Sequence, residues 1–190
     1  MPNPATRLAS WLRANTPPRP DALTHLKLQK LLFYCYGAAT AHEHDGALGT
    51  IEFEAWEHGP VCRDVWKDLR TFNGKPLPPL ADDAADVAYD DGTARLLHDV
   101  VNVYGRLDAW SLRQESHLEA PWIDAWGAHK GVIADAAIRA HFTQKFGGAV
   151  SYPEYLLRRS SMELDGIAVR KYPSLRALSR HVSAMLGPTA

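Results

Sequence analysis

The sequence predicts a mainly α-helical α+β domain with a small β-sheet or hairpin. Three observations predict it: apolar residues recur at helical spacing in several segments, one short stretch after Ile51 alternates strictly, and the 190 residues contain no long linker. That length suits one continuous core, expected over residues 1–148, with 149–190 as a strand and helix extension packed on the same domain.

Asn3 followed by Pro4 opens the first helix, because asparagine caps free amides and proline fits the first turn. Leu8, Trp11 and Leu12 then share a face, and the run from Pro17 to Pro20 stops the helix. Thr24 caps a second helix whose Leu28, Leu31, Leu32, Cys35 and Ala39 form one stripe, with Lys27 and Lys30 toward its flank. Phe33, Tyr34 and Tyr36 widen the apolar arc, which makes this the central helix.

Ile51, Phe53 and Ala55 alternate with Glu52, Glu54 and Trp56, the pattern of a half-buried strand. Gly59 and Pro60 read as the turn after it, followed by a helix with Val65, Leu69 and Phe72 on one side. Residues 74–79 and the Asp-rich 82–92 form a solvated loop. A second strong helix spans residues 93–104, with Leu96, Leu97, Val100, Val101 and Tyr104 inward, and Gly105 ends it. Ser111 with Gln114 is a capping box for a short helix toward His117. Pro121 starts another, with Trp122 and Trp126 one turn apart, and Asp135 caps a helix with Ile138, His141 and Phe142 inward. The tail reads as a strand over 166–170 and a helix capped by Ser174.

The composition, 46% hydrophobic and 23% charged, is that of an ordinary globular protein. No stretch approaches the roughly 18 apolar residues a membrane helix needs, and the first sixteen residues hold no signal-peptide run. Two cysteines, Cys35 and Cys62, at no metal-ligand spacing fit a reduced, cytoplasmic setting. Lys plus Arg number 21 against 22 Asp plus Glu, too even for a chain that binds phosphate backbones over its whole surface. Residues 149–190 carry a local +3, six basic side chains (Arg158, Arg159, Arg170, Lys171, Arg176 and Arg180) against the acidic Glu154, Glu163 and Asp165, and a nucleic-acid-binding regulator is the alternative that rests on the basic ones.

Neither a catalytic set nor a cofactor or metal site emerges. His42 and His44 stand two apart, whereas a helix offers an ion two ligands at a separation of three or four, so the run to Asp45 reads as an exposed turn. Glu57 and His58 are adjacent and point apart, with no third group implied. The Asp-rich loop lacks the ligand spacing and central glycine of a calcium loop. Phosphate-cradling, dinucleotide and nucleophile-elbow glycine motifs are missing from the sequence. The distinctive supply is of rings with polar edges: Trp56, Trp66, Trp110, Trp122 and Trp126 with Tyr34 and Tyr36, side chains that fill small cores and dominate protein interfaces.

Three blocks carry a family resemblance. Residues 26–34, LKLQKLLFY, are similar to the signature LKLQKLLYY of the Panacea domain, the SocA-like group of bacterial and phage antitoxins. Residues 54–61, EAWEHGPV, resemble its second signature, EAWxxGPV, followed by Trp66 where tyrosine is frequent. Tyr104 and Gly105, then Trp110, Ser111 and Leu112, then Pro121 and Trp122, resemble its third block. Cys62 and Arg63 depart from the valine and proline common there, and the chain after Gly147 matches no motif.

The resemblance implies an antitoxin that neutralises a protein toxin encoded beside it by direct binding. The SocA type further implies an adaptor that hands the toxin to a ClpXP-type AAA+ protease. Leu28, Gln29, Leu31, Gly59, Pro60, Val61, Trp110, Pro121 and Trp122 are expected to be structural, with Gln29 hydrogen-bonding a backbone group in the bend. Lys27, Lys30, Tyr34, Trp56, His58 and Trp66 are the candidates for touching the partner, the lysines by meeting its acidic side chains.

Overall fold

The computed structural model describes residues 3–18, 21–80, 87–129, 131–147 and 150. Among them are eight α-helices, one 3₁₀ turn and three short strands, so the mainly helical class with a minor sheet is observed. The strand and helix expected in the tail lie outside the described residues.

The first helix, α1 (Pro4–Asn15), is capped as expected, the Thr6 amide donating to Asn3 Oδ1 at 2.8 Å. The central helix, α2 (His25–Ala41), is capped by Thr24 and buried around nearly its whole circumference. Its length is why the core forms around it: α1, α5 (Asp91–Tyr104), α6 (Ala109–Ser116) and α8 (Asp135–Phe146) all pack on it. Phe33 meets Phe53 and Phe142 edge-on at 5.3 Å each, and Tyr34 stacks on Tyr104 at 4.0 Å. Gly37 lies directly under the Phe142 ring, where a Cβ would collide with it.

After the short α3 (Asp45–Leu48), strand β1 (Phe53–Trp56) pairs antiparallel with β2 (Gly59–Val61) and with β3 (Val132–Ile133), in the order β2-β1-β3. Trp56 lies opposite Gly59, so Glu57 and His58 are the turn. This corrects the expectation for Gly59 and Pro60, which belong to β2. Alternation places Ile51, Phe53 and Ala55 inside, as expected. Helix α4 (Arg63–Leu69) runs into the 3₁₀ turn Arg70–Phe72, and α7 (Ala120–Gly127) carries Pro121 in its first turn.

Two caps differ from expectation. Asp108 caps α6 by accepting from the Ser111 amide at 2.8 Å and the Ser111 hydroxyl at 2.7 Å, so Ser111 sits inside the first turn. Asp135 is the first residue of α8, with Ala134 in the cap position, and its carboxylate accepts from Tyr36 Oη at 2.6 Å. A carboxylate near a helix N-terminus is favoured in either position, which is why sequence did not separate them.

Candidate functional site

The β1–β2 hairpin is held by side chains from outside the sheet. Gln29 on α2 bonds both backbone groups of Cys62, just past β2, as its motif suggested. One residue on, Lys30 Nζ donates to the Pro60 carbonyl at 2.8 Å. Gly59, at φ +92°, lies so close above Lys30 and Ser116 that a Cβ there would meet both. From the other side Trp122 Nε1 donates to the Trp56 carbonyl at 3.0 Å. At the tip, the Glu57 carbonyl accepts from His117 Nε2 at 3.1 Å and from Arg113 Nη2 at 3.4 Å, and Arg113 Nε donates to His58 Nδ1 at 3.3 Å.

The electrostatics suit that grip. Burial, then the charge of Arg113, lowers His117 to about 4, so the ring is neutral near pH 7. Its Nε2 must carry the proton, because its partner is a carbonyl. Burial, then Arg113, also holds the Lys30 ammonium well below the ordinary lysine range.

Around this fixed hairpin lies a surface of rings and guanidinium groups. Trp56 and Trp66 meet edge-on at 5.1 Å, and Trp122 and Trp126 stack at 5.7 Å. Arg63 lies over Trp56 at 5.5 Å, Arg70 over Trp66 at 5.4 Å and Arg113 over Trp110 at 4.7 Å. Arg63 is also paired with Glu54 at 2.5 Å. Trp110 is 58% exposed, Ile123 47% and Trp126 43%. Large exposed rings beside a rigid backbone are what a protein interface uses.

The residues expected at the partner surface divide. Trp56 and Trp66, half-buried, and His58, exposed, reach it together. Lys27, Lys30 and Tyr34 do not, and the flank position expected for the lysines is corrected: all three are fully buried. The reason is that α2 is surrounded, so the lysine stems run through apolar neighbours and their ammonium groups end on internal acceptors. Lys27 Nζ pairs with Asp21 Oδ1 at 2.7 Å, and Asp21 in turn accepts from the Ala109 amide at 3.2 Å.

Tyr34 Oη donates to Glu119 Oε1 at 3.0 Å. Glu119, 1% exposed, also accepts from Lys145 Nζ at 2.5 Å and from His141 Nε2 at 2.6 Å, joining α2, α7 and α8 through one carboxylate. Of the motif residues expected to be structural, Leu28, Gln29, Leu31, Gly59, Pro60, Val61, Pro121 and Trp122 are buried, while Trp110 stands out from the surface.

Sequence reasoning did not single out Arg113, which lies 55 residues from the His58 it grips, and no periodicity reports such a pairing. At the end of α2, His44 Nδ1 lies 3.0 Å from Thr93 Oγ1. Among the described residues no three His, Cys, Asp or Glu side chains gather as an ion's ligand set, and no helix is long and apolar enough to cross a membrane. The basic side chains of 149–190 fall outside the described residues.

Residues 28–123, half of the chain, match the family described as antitoxin SocA-like, Panacea domain. No curated protein and no solved structure matches the chain. The matched span contains the hairpin and all the side chains that hold it, from Gln29 to Trp122.

Proposed function

Because the chain belongs to the SocA-like antitoxin family of Panacea domains, we infer that it neutralises a protein toxin by direct binding, with the ring-lined face around the β1–β2 hairpin as the contact. The observation that carries this reading is the convergence of three distant sequence blocks on the backbone of one hairpin. A loop whose carbonyls at Trp56, Glu57, Pro60 and Cys62 are all occupied by side-chain donors is ordered before any partner arrives. Binding to it then costs less ordering entropy, so more of the contact energy of the rings appears as affinity. Burying an exposed indole adds area at about 25 cal/mol per Å².

The SocA likeness adds a second step, delivery of the bound toxin to a ClpXP-type protease in the cytoplasm. Co-expression of this chain, tagged, with the protein encoded by the adjacent gene tests the first step. The reading expects restored growth and a complex that co-elutes through size exclusion. A toxin that stays toxic and elutes alone contradicts it. Toxin half-life, chased with and without this chain, separates delivery from sequestration: a shortened half-life supports delivery, and an unchanged one leaves sequestration alone.

A further inference from the structure

The geometry points to Glu57, with Trp110 beside it, as the part of this surface that selects the partner: a protein that offers a basic side chain to the Glu57 carboxylate and an apolar one to the Trp110 ring. This inference rests on the toxin-binding reading and sharpens it.

Glu57 is the second residue before Gly59 in the two-residue turn, and its backbone carbonyl is doubly occupied by His117 and Arg113. The turn therefore keeps its shape whatever the side chain at 57, and that side chain is exposed. The hairpin holds two carboxylates with opposite fates. Glu54 accepts from Arg63 through both oxygens, at 2.5 and 2.6 Å, and from Trp56 Nε1 at 2.8 Å. The Glu57 carboxylate has no hydrogen bond or ion pair within the described residues.

Arg113, which grips the tip, makes no ion pair with that carboxylate. Arg113 spends its Nε on His58 and an Nη2 donor on the Glu57 carbonyl, and its guanidinium lies over the Trp110 ring. One side chain thus ties the backbone carbonyl of Glu57 to the ring of Trp110, a 58% exposed indole. A negative group beside a large apolar ring is complementary to a basic side chain beside an apolar one.

The test uses the full-length chain and the purified protein of the adjacent gene, with Kd measured by calorimetry and thermal melts run in parallel. Glu57→Lys is expected to weaken binding at least ~10-fold by placing like charges together, and Glu57→Gln by less, with a shallower salt dependence. Trp110→Ala is expected to weaken binding ~10-fold or more. Melting temperatures should stay within a few degrees of the wild type in all three variants, because the Glu57 carboxylate bonds nothing among the described residues and the Trp110 ring is exposed on one side of Arg113. Wild-type affinity in Glu57→Lys overturns the assignment while leaving the toxin-binding reading intact. A wild-type chain that binds no toxin overturns both, and loss of binding only in variants that also melt early overturns the claim that these side chains act at the surface.

Discussion

Gln29 and Cys62, 33 residues apart, are joined through both backbone groups of the cysteine: its N–H donates to Gln29 Oε1 at 2.8 Å, and its carbonyl accepts from Nε2 at 3.2 Å. One buried amide thereby substitutes for a missing strand partner at the point where the hairpin enters α4. Gln29→Leu fills similar space and leaves a buried donor and a buried acceptor unmet. The expected cost is about 2–4 kcal/mol, a fall of roughly 4–15 °C in Tm. A melt within a degree or two of wild type would show that the pairing contributes little.

Lys30 links stability to pH. Because burial lowers its folded pKa, there is a window, up to the ordinary lysine value, in which the unfolded chain binds a proton that the folded chain does not. Stability from this group therefore rises with pH through that window. Lys30→Met keeps most of the buried stem and removes the proton. Urea midpoints followed from neutral into alkaline solution should climb in the wild type relative to Lys30→Met. Parallel curves would contradict a buried, titrating Lys30.

Glu119 works in the opposite direction. Burial pushes its carboxyl up, but the hydrogen bond from His141 and the charge of Lys145 outweigh that and hold it below the ordinary glutamate range. Its contribution is present above the unfolded pKa and is lost as pH falls through the folded one. Glu119→Gln leaves Lys145 and His141 without that anion, and the expected destabilisation at neutral pH is about 3–5 kcal/mol. Its acid unfolding limb should also be less steep than that of the wild type, measured by circular dichroism against pH.

Gly59→Ala places a side chain at φ +92° and against Ser116 and Lys30. The expected loss is about 1–3 kcal/mol, read as a lowered urea midpoint. A neutral outcome would mean that the hairpin can shift away from α2.

Much of the fold was legible because its signals are local. Caps at Asn3 and Thr24, the apolar face of α5 and the alternation through β1 each depend on residues within a turn or two of one another. What was misread depends on surroundings. Lys27 and Lys30 look like the edge of an amphipathic helix, and only their surroundings make them interior: β2 and Ser116 of α6 at Lys30, and Asp21, itself bonded to the start of α6, at Lys27. β3 has two residues, too few for alternation to appear, and takes its form from pairing with Phe53 and Glu54. The motif blocks were visible as a likeness, yet their meeting on one hairpin is a fact of three dimensions. Gln29, Arg113 and Trp122 reach it from positions that no window of sequence holds together.

The most direct measurement is a hydroxyl-radical footprint of the tryptophans, free and in complex with the toxin of the adjacent gene, read by mass spectrometry. Toxin should protect the exposed rings of Trp110 and Trp126 and the half-buried Trp56 and Trp66, while Trp11, on the buried face of α1, stays unchanged. A stable complex in which these four rings oxidise as fast as in the free chain would contradict the hairpin face as the contact.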